Sequence, residues 1–510
     1  MDKGMIDHKR LNELVEYAAI GLFIILSLLM IFRHVPWGDE AQAWLIARDC
    51  PDLLSVWHLM CYEGSPGLWH TILFALAKMG MPYFSMTAIH FLFAMTGVVI
   101  FIRYAPFSTL QKSLFIFGYF ILFEYNAIAR SYVLTVLFLF IIAAMYGKRF
   151  EHPLVYGALL FLLANANLYS TVVAIAIFIV YLYEAYNEKK LPASKYLMAG
   201  LAIAAIGILL AAWQVYPPPD RRLSNNQSVL SFDFSPYHIG QVLNAVVEAF
   251  VPVPQLTHQF WGTKFLYYPT TAMAILGLPI FLLSLAFFLR KPVPMAIYLI
   301  SALGLLGLFF FINPGSIRHH GIIYIAFIFS LWISTSYGDR PLIQSAAADR
   351  IFNKKSLGLM LTILLAIQLL GGTIAFYYTI NDDFSPGRAA AGFLIDNGYV
   401  NDRTFIATYK IGTNPILPYI PQPYSKFYSI EDQDYRSYII WNDTFCQANL
   451  TPGQIMQRVD YATAGKHYAS VLLILNTPID DPEFAERYSL AAEFGNTISR
   501  EMFYIYKLKA

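Results

Sequence analysis

Three features of the sequence predict a polytopic α-helical membrane protein with a small α/β domain at its C-terminal end. Hydrophobic residues make up 57% of the 510 residues and charged residues 13%, whereas soluble globular chains carry about 25% charge. Apolar runs of about 16 to 24 residues recur along the chain up to residue 379, and runs of this length cross a bilayer as helices. Beyond residue 380, charge, proline and alternating patterns return.

The apolar runs predict about eleven transmembrane helices. The first run is followed by Arg33-His34-Val35-Pro36 rather than by a small-residue cleavage site, so we expect an uncleaved anchor. The predicted spans are residues 17–32, 84–104, 113–128, 131–147, 153–168, 169–186, 196–215, 266–289, 294–312, 319–337 and 357–379.

Basic residues fall in every second connection between these spans. Because Lys and Arg concentrate in cytoplasmic loops, these connections are expected in the cytoplasm. The first loop, residues 33–83, and the chain after residue 380 are then expected outside, in a bacterial plasma membrane. This topology requires that residues 64–80 lie in the interface rather than cross, although a true span compensated by a missed one elsewhere stays open.

The C-terminal part predicts a domain with its own core, because its length of about 130 residues is sufficient for one. The region 416–456 is rich in proline and predicts loops. We therefore divide the chain into a membrane domain, residues 1–380, and a soluble extracytoplasmic α/β domain, residues 381–510. The elements predicted in the latter are a helix at Ser385–Asn397 and strands at Thr404–Tyr409, Ser470–Leu475 and Met502–Leu508.

Charge and cysteine content exclude several classes of function. The formal net charge is only +2, so the chain has no electrostatic footprint for nucleic acid. Cys50, Cys61 and Cys446 have neither a metal-binding spacing nor the pattern of a disulfide framework. No metal site is predicted, and no cofactor is required, although a divalent cation stays open.

The stretch Trp37-Gly38-Asp39-Glu40 places two adjacent carboxylates directly after the first span. An acid at the centre of a bilayer costs roughly 2.5–3.5 kcal/mol, so the pair predicts a water-filled cavity or a cationic partner. On a helix over residues 39–48 the two side chains project about 100° apart. We therefore expect two different roles, with Asp39 facing a cavity as a catalytic base. The alternative is that the pair caps this helix and complements its dipole.

Glu63 and His70 flank a second polar stretch, Gly64-Ser65-Pro66-Gly67, on the same predicted face. The two glycines permit close backbone approach and the proline fixes the entry to the following helix. The two titratable groups are therefore candidates for lining a substrate cavity. A helix start with incidental polar neighbours is the alternative.

Glu124, Arg130 and Tyr132 interrupt an apolar region at the predicted outer boundary. The planar guanidinium of Arg130 is suited to binding a phosphate. An Arg130–Glu124 ion pair that holds two helices together is the alternative.

A fourth group, Arg318-His319-His320, begins a late span. A cation and two imidazoles beside a cavity predict a site for a phosphate or diphosphate leaving group. Arg318 is equally compatible with an interfacial anchor whose charge reaches the headgroups. Adjacent histidines lack the i, i+4 spacing of a helical zinc site, so zinc is not expected.

These stretches, in this order, resemble the GT-C superfamily of integral-membrane glycosyltransferases, which includes the protein O-mannosyltransferases and the aminoarabinose transferase of lipid A. The resemblance covers residues 15–380 and rests on two segments. Asp39-Glu40 follows the first span, and Ala-Ile-Ala-Arg-Ser-Tyr-Val-Leu at 127–134 is similar to the family's Gln-Glu-Ala-Arg-Pro-Tyr-Ala-Leu. The family's His-Pro-Pro-Leu is only half matched by Gly64-Ser65-Pro66-Gly67-Leu68, which leaves the subfamily and the sugar open.

The resemblance implies an inverting transferase that moves a hexose or pentose from a polyprenyl phosphate to a hydroxyl of a glycan, lipid or protein, among membrane lipids. It implies that Asp39 is the base and that Arg130 contacts the donor phosphate, with Arg318 and His319 as further candidates. Glu40 would position the acceptor or help hold a divalent cation. The remaining residues expected around the substrate cavity are Glu63, His70, Glu124 and Tyr132.

Two other classes of function stay open. A secondary transporter or lipid flippase would use the same acids for ion or proton coupling, but such proteins usually show inverted repeats, and none stands out here. A non-catalytic membrane scaffold would not depend on Asp39.

Overall fold

Among the residues that the structure describes, seven helices are long and apolar enough to cross a membrane, which identifies an integral membrane protein. The computed structural model describes residues 3–191, 194–222, 232–265, 270–342, 350–410 and 413–509. Each of the seven helices coincides with a predicted span. They are Arg10–Arg33, Phe84–Tyr104, Leu168–Asn187, Lys195–Val215, Pro292–Phe311, Ile317–Ser336 and Lys354–Asn381.

The membrane region contains shorter helices between these seven. In chain order the described α-helices are α1 (Lys3–Arg33), α2 (Gly38–Asp49), α3 (Leu53–Glu63), α4 (Leu68–Lys78), α5 (Phe84–Tyr104), α6 (Thr109–Ile116), α7 (Tyr132–Met145), α8 (Pro153–Ala164), α9 (Leu168–Asn187), α10 (Lys195–Val215), α11 (Pro236–Phe250), α12 (Thr270–Ala286), α13 (Pro292–Phe311), α14 (Ile317–Ile333) and α15 (Lys354–Asn381).

The predicted number of eleven spans is not confirmed, because four predicted runs form shorter or interrupted helices. The runs 131–147 and 153–168 shorten to α7 and α8, and the run 266–289 is described from Thr270 onward as α12, with residues 266–269 outside the described residues. The run 113–128 is broken: α6 ends at Ile116, and a π-helix occupies Tyr119–Glu124.

The break lies at Gly118, where the chain passes close to α15. A Cβ at Gly118 would lie 3.1 Å from Gln368 Cβ, and one at Gly372 would lie 2.3 Å from the carbonyl oxygen of Phe117. The two glycines therefore permit a close contact between this segment and α15. Short π-helices are frequent at functional sites, and Glu124 is the last residue of this one.

The first loop folds into the three short helices α2, α3 and α4, of 12, 11 and 11 residues. At 1.5 Å per residue they are roughly 16–18 Å long, whereas a hydrocarbon core is about 30 Å thick. The helix within residues 64–80 is therefore about half as long as the hydrocarbon core is thick, a length that is compatible with the predicted position in the interface.

Helices α8 and α10 pack through glycine. A Cβ at Gly157 would lie 2.1 Å from the carbonyl oxygen of Gly200, and one at Gly207 would lie 2.6 Å from Phe161 Cα. Small residues let helix backbones approach closely in membranes, where apolar side chains gain little from leaving lipid. These glycines explain how two helices of unequal length form a close pair.

The C-terminal part contains a six-stranded mixed sheet with strand order β3-β2-β1-β4-β6-β5. Strand β1 pairs in parallel with β2 and β4, and the other pairs are antiparallel. The strands are β1 (Thr404–Tyr409), β2 (Phe427–Ser429), β3 (Asp434–Arg436), β4 (Ser470–Leu475), β5 (Tyr488–Phe494) and β6 (Phe503–Leu508), and the helices are α16 (Gly387–Asp396), α17 (Asp443–Gln447), α18 (Pro452–Thr463) and α19 (Pro482–Arg487).

Both faces of this sheet are covered by packed side chains. Successive side chains of a strand point to opposite sides of the sheet, so neighbouring residues of β4 belong to different clusters. Leu472 and Ile474 pack on one side with Leu394 of α16. Leu473 packs on the other side with Met456 of α18. Ala41 and Leu45 of α2 belong to the first of these clusters. The C-terminal part therefore shares a hydrophobic core with the helix that carries Asp39.

The predicted helix and three strands of this part are present, but the region 416–456 is not only loops. It contains β2, β3, α17 and the first residues of α18. Strands β2 and β3 are three residues each, which is too short to show an alternating pattern. Strand β5 was also missed, since it is largely exposed and carries a register shift.

Candidate active site

Asp39 lies between two arginines that come from distant parts of the chain. It occupies the first turn of α2, Arg130 lies in the connection before α7, and Arg318 is in the first turn of α14. Asp39 Oδ2 accepts hydrogen bonds from Arg130 Nη1 and, at 3.4 Å, from Arg318 Nη2. The three side chains are 35%, 22% and 19% exposed in that order, so a ligand can reach this cluster.

The two arginines control the ionisation of Asp39. Burial alone would raise the pKa of this carboxyl, but the charges of Arg130 and Arg318 outweigh burial and hold the pKa below its ordinary value. Asp39 is therefore a carboxylate at neutral pH in the absence of ligand.

Glu40 points away from Asp39 and is fully buried. Its Oε1 accepts a hydrogen bond from Ala129 N at 2.6 Å, and its Oε2 accepts from Trp37 N at 3.1 Å and from His34 Nε2 at 2.8 Å. The contact with Trp37 N caps α2, as the capping alternative expected for this pair. Both oxygens are occupied by the protein, so Glu40 presents no free carboxylate oxygen to a substrate or a cation.

Glu63 is connected to the helix of Asp39 through Gln42, which lies three residues after Asp39 on α2. Gln42 Nε2 donates to Glu63 Oε1 at 2.8 Å. Burial raises the pKa of Glu63 to about 7, and the nearby charge of Asp39 acts in the same direction. Glu63 therefore titrates in the physiological range next to the cluster of Asp39, Arg130 and Arg318.

Arg318 also lies between two tryptophans. Its guanidinium carbon is 5.3 Å from the ring centre of Trp37 and 5.6 Å from that of Trp261. Trp261 Nε1 in turn donates to Glu124 Oε2 at 3.1 Å, and Tyr119 OH donates to the same oxygen at 3.1 Å. Arg130 pairs with Asp39 instead of Glu124, so the predicted alternative of an Arg130–Glu124 pair is wrong.

His319 and Tyr132 form an aromatic wall next to the arginines. The His319 ring stacks on Tyr169 with 4.5 Å between ring centres and lies 5.9 Å from the Tyr132 ring. Arg130 lies over Tyr132, 6.0 Å from its ring centre. His319 Nδ1 accepts a hydrogen bond from Ser316 N at 2.9 Å, so in the neutral imidazole the proton is on Nε2.

His320 and His70 are placed differently from His319. His320 Nδ1 lies 2.7 Å from Glu248 Oε2, and Nε2 lies 2.8 Å from the carbonyl oxygen of Pro314. Through these two contacts His320 joins α11 to the start of α14, so its ring is part of the packing between the helices. His70 is buried, and neither ring nitrogen has a partner among the described residues.

The C-terminal part contributes Glu501, which the sequence did not single out. Glu501 Oε1 accepts a hydrogen bond from Gly38 N at 2.8 Å, and its Oε2 accepts from Ser385 Oγ at 2.5 Å. Gln42 is held in a similar way, since its Oε1 accepts from Asn414 Nδ2 at 2.6 Å and from Ile439 N at 3.0 Å. Glu501 is more than 460 residues from Gly38 in sequence, and no local pattern could have linked them.

The predicted residues therefore fall into three groups. Arg130 and Arg318 both contact Asp39, and Glu63, Tyr132 and His319 lie beside them. Glu40, His70 and Glu124 are buried behind this surface. Among the described residues no three His, Cys, Asp or Glu side chains lie close enough together to hold a metal ion.

The whole-chain fold is similar to that of a solved membrane protein. No family model matches the sequence, and no curated protein matches it. The structure is similar to ArnT from Cupriavidus metallidurans bound to undecaprenyl phosphate, with a TM-score of 0.52 and 10% sequence identity over 96% of this chain and 97% of that chain. The apo state of the same ArnT gives a TM-score of 0.51 at 10% identity over 95% and 97%. The prediction of a GT-C fold is confirmed.

Proposed function

We propose that this protein is a glycosyltransferase that moves a sugar from a polyprenyl phosphate to an acceptor hydroxyl. The observation that carries the proposal is the convergence of Arg130 and Arg318 on the accessible carboxylate of Asp39. A base next to two phosphate-binding cations is what displacement of a phosphate from a sugar requires. The GT-C fold and the undecaprenyl phosphate bound by ArnT support the class of donor.

The two arginines bind the phosphate of the donor. Guanidinium groups form paired, charge-assisted hydrogen bonds with phosphate oxygens. Arg318 lies between the rings of Trp37 and Trp261, which restricts its motion and preorganises it. His319 adds a donor, because its Nδ1 accepts from Ser316 N and its Nε2 therefore carries the proton. These groups stabilise the negative charge that develops on the departing phosphate.

Asp39 acts as the base on the acceptor. Its carboxylate takes the proton of the acceptor hydroxyl while that oxygen forms a bond to the anomeric carbon. The bond from this carbon to the phosphate oxygen breaks, and its electron pair stays on the phosphate. The base and the leaving group lie on opposite sides of the sugar, so the configuration inverts.

Binding of the donor activates the base. Without ligand, Arg130 and Arg318 both pair with Asp39 and lower its pKa. The phosphodiester of the donor, which carries one negative charge, competes for the same two guanidinium groups, so it weakens both pairs. The proton affinity of Asp39 therefore rises only when the donor is in place, which disfavours reaction steps without the donor.

Glu40 and Glu63 have different parts in this proposal. Glu40 fixes the start of α2 through Trp37, His34 and Ala129, so it is a positioning residue rather than a second base. Glu63 lies near Asp39, and burial raises its pKa to about 7. Tyr132 and His319 form a wall of the substrate site, and His70 and Glu124 lie buried behind that surface.

The proposal includes the membrane topology inferred from basic residues. The reaction takes place at the outer face of a bacterial plasma membrane, and residues 381–510 form an extracytoplasmic domain over the site of residues 1–380. That domain presents a glycan, lipid or protein acceptor to Asp39.

The test is turnover of a panel of polyprenyl-phosphate hexoses and pentoses by protein in liposomes. Asp39→Asn should lower turnover of the accepted donor by about 10²–10⁴-fold, the usual contribution of a general base. Asp52→Asn is a matched control, because Asp52 caps α3 in the same loop by accepting from Ser55 N, and asparagine caps equally well.

Full turnover by Asp39→Asn would move the base to another residue. Absence of turnover with every donor, together with ion-coupled movement of lipid or solute that depends on Asp39, would favour the transporter or flippase class instead.

A further inference from the structure

A cavity of about 490 Å³ opens at the end of α14 that is remote from Arg318. Leu331, Ser334 and Thr335, at the end of this helix, line one side. Helix α14 has 17 residues from Ile317 to Ile333 and is therefore roughly 25 Å long. The cavity thus lies close to a bilayer thickness away from the Asp39 cluster and is not part of it.

The inner walls of this cavity are apolar and come from four parts of the chain. Phe107 follows α5, Phe287 follows α12, Leu331 is in α14, and Leu361 is in α15. Contacts between α6 and α15 close one side, where Gln111 Nε2 donates to the carbonyl oxygen of Gly358 at 3.2 Å. An apolar cavity within a membrane region fits a hydrocarbon chain rather than a soluble metabolite.

The mouth of the cavity is cationic. Arg290, Lys291 and Lys354 line it together with one carboxylate, Asp339. Lys291 Nζ lies 2.9 Å from Asp339 Oδ1 and also donates to the carbonyl oxygen of Tyr337. Lys354 is exposed and makes no ion pair among the described residues. Among the described residues, Lys354 is therefore a cation at the mouth that an anionic ligand could pair with.

We propose that this cavity binds an anionic phospholipid, with its phosphate at the mouth near Lys354 and an acyl chain along the apolar wall. The site combines a cationic mouth with an apolar wall, and a soluble anion would fit the mouth but not the wall. The cations come from two of the basic connections that the sequence places in the cytoplasm, Arg290-Lys291 and Lys354-Lys355. Basic pockets between transmembrane helices on that side bind lipid headgroups.

The lipid also has a structural consequence. It would join the connection between α12 and α13 to the start of α15, because both segments line the mouth of the cavity. The bound headgroup therefore stabilises the end of the helix bundle opposite the Asp39 cluster. This inference does not depend on the proposed transferase activity.

The test measures retention of phosphatidylglycerol and phosphatidylcholine by the purified, delipidated full-length protein. Lys354→Ala should weaken phosphatidylglycerol binding by about fivefold, since one lysine near a membrane surface contributes about that factor. Lys355→Ala removes the same charge from the next residue, which does not line the cavity, and should have no effect.

A second pair of variants tests the apolar wall. Leu357→Trp fills the cavity and should reduce retention of the lipid, whereas Leu359→Trp, on the exposed side of the same helix, should not. Equal binding of the two lipids, or equal effects of Lys354→Ala and Lys355→Ala, would overturn the proposal. Displacement of the lipid by inorganic phosphate at millimolar concentration would also overturn it, because the site would then recognise free phosphate.

Discussion

At the scale of single residues, Asp39 must meet two requirements that oppose each other. A base has to be deprotonated before the acceptor arrives, yet it must also bind a proton well during the reaction. Arg130 and Arg318 satisfy the first requirement by lowering the pKa of Asp39. The second is met only if those cations are drawn to another anion, so the proposed order of binding follows from the ion pairs themselves.

Glu63 gives a pH-dependent prediction at this site. Its pKa is raised to about 7 because of burial, so it is neutral at pH 6 and ionised at pH 8, where it adds negative charge beside Asp39. The folded pKa lies above that of the unfolded chain, so its contribution to stability is fully present below about pH 4.5 and is lost as pH rises through about 7. Glu63→Gln should remove an inflection near pH 7 from the profile of kcat/KM. It should also raise thermal stability above that of the wild type, and by more at pH 8 than at pH 6.

The matched control for this measurement is Glu486→Gln, which changes an exposed carboxylate far from the site. It should leave both the pH profile and the pH dependence of stability unchanged. An inflection near pH 7 that persists in Glu63→Gln would assign it to another group.

The sequence predicted part of this residue-level arrangement. The geometry of a helix separates neighbouring side chains by about 100°, and Asp39 and Glu40 do meet different partners. Trp261 and Gln42 were not predicted, because their proximity to Arg318 and Glu63 depends on how distant segments pack. Likewise, the residues alone could not decide between Glu124 and Asp39 as the partner of Arg130.

At the scale of elements, the position of α2 depends on the C-terminal part. Glu501, just before β6, accepts a hydrogen bond from the first amide of α2, and Gln42 is bonded to Asn414 and Ile439. Ala41 and Leu45 pack in the core beneath the sheet. The helix that carries Asp39 is therefore held from one side by the sheet and from the other by Glu40.

Glu501 should accordingly act as a positioning residue. Glu501→Ala removes the acceptor for Gly38 N and leaves this amide and Ser385 without their partner, so the start of α2 can shift. A displacement of about 1 Å at a reacting group can cost about 10²-fold in rate. We expect kcat to fall by up to about that factor while KM for the donor changes little, because the arginines lie on other elements.

Two controls accompany this measurement. Glu493→Ala alters an exposed carboxylate of β5 and should keep full kcat. Glu501→Gln, which retains one acceptor oxygen for Gly38 N, should recover part of the loss. If Glu501→Ala lowers both KM and kcat and also abolishes cooperative unfolding, then Glu501 supports folding in general. The positioning role would then be rejected.

The elements also explain where sequence patterns failed. Seven long apolar runs became uninterrupted helices, because nothing in them requires a break. The run 113–128 looks equally apolar, yet Gly118 allows the chain to approach α15 and the helix ends. Hydropathy measures only transfer into lipid, so it does not register such a contact between helices.

At the scale of the whole molecule, the two ends of the helix bundle carry different charged groups. The Asp39 cluster and the sheet lie at one end, and the cavity lined by Arg290, Lys291 and Lys354 lies at the other. Helix α14 connects them, with Arg318 in its first turn and Thr335 just beyond its last. Basic connections and the proposed active site are therefore on opposite faces, as the positive-inside rule requires of an outward-facing site.

This arrangement predicts the labelling pattern of single cysteines in intact membranes. In a background with Cys50, Cys61 and Cys446 replaced by alanine, Met79→Cys and Tyr461→Cys should react with an impermeant maleimide from outside, and Arg340→Cys only from the cytoplasm. Met79 and Tyr461 are 76% and 78% exposed. Position 79 is chosen rather than 80, because Gly80 has a left-handed backbone with a φ of +75° that disfavours a cysteine.

Met79 is the informative position, because it follows the 11-residue helix α4. If α4 crossed the membrane, Met79 would lie on the opposite side from the start of that helix, and every later connection would be inverted. Tyr461→Cys reports the side of the sheet independently, and Arg340→Cys reports the side of the proposed lipid cavity. Labelling of positions 79 and 340 from the same side would contradict the topology, and with it an active site that faces outward. Labelling of positions 79 and 461 from the same side would place the base and its supporting sheet on one face of the membrane.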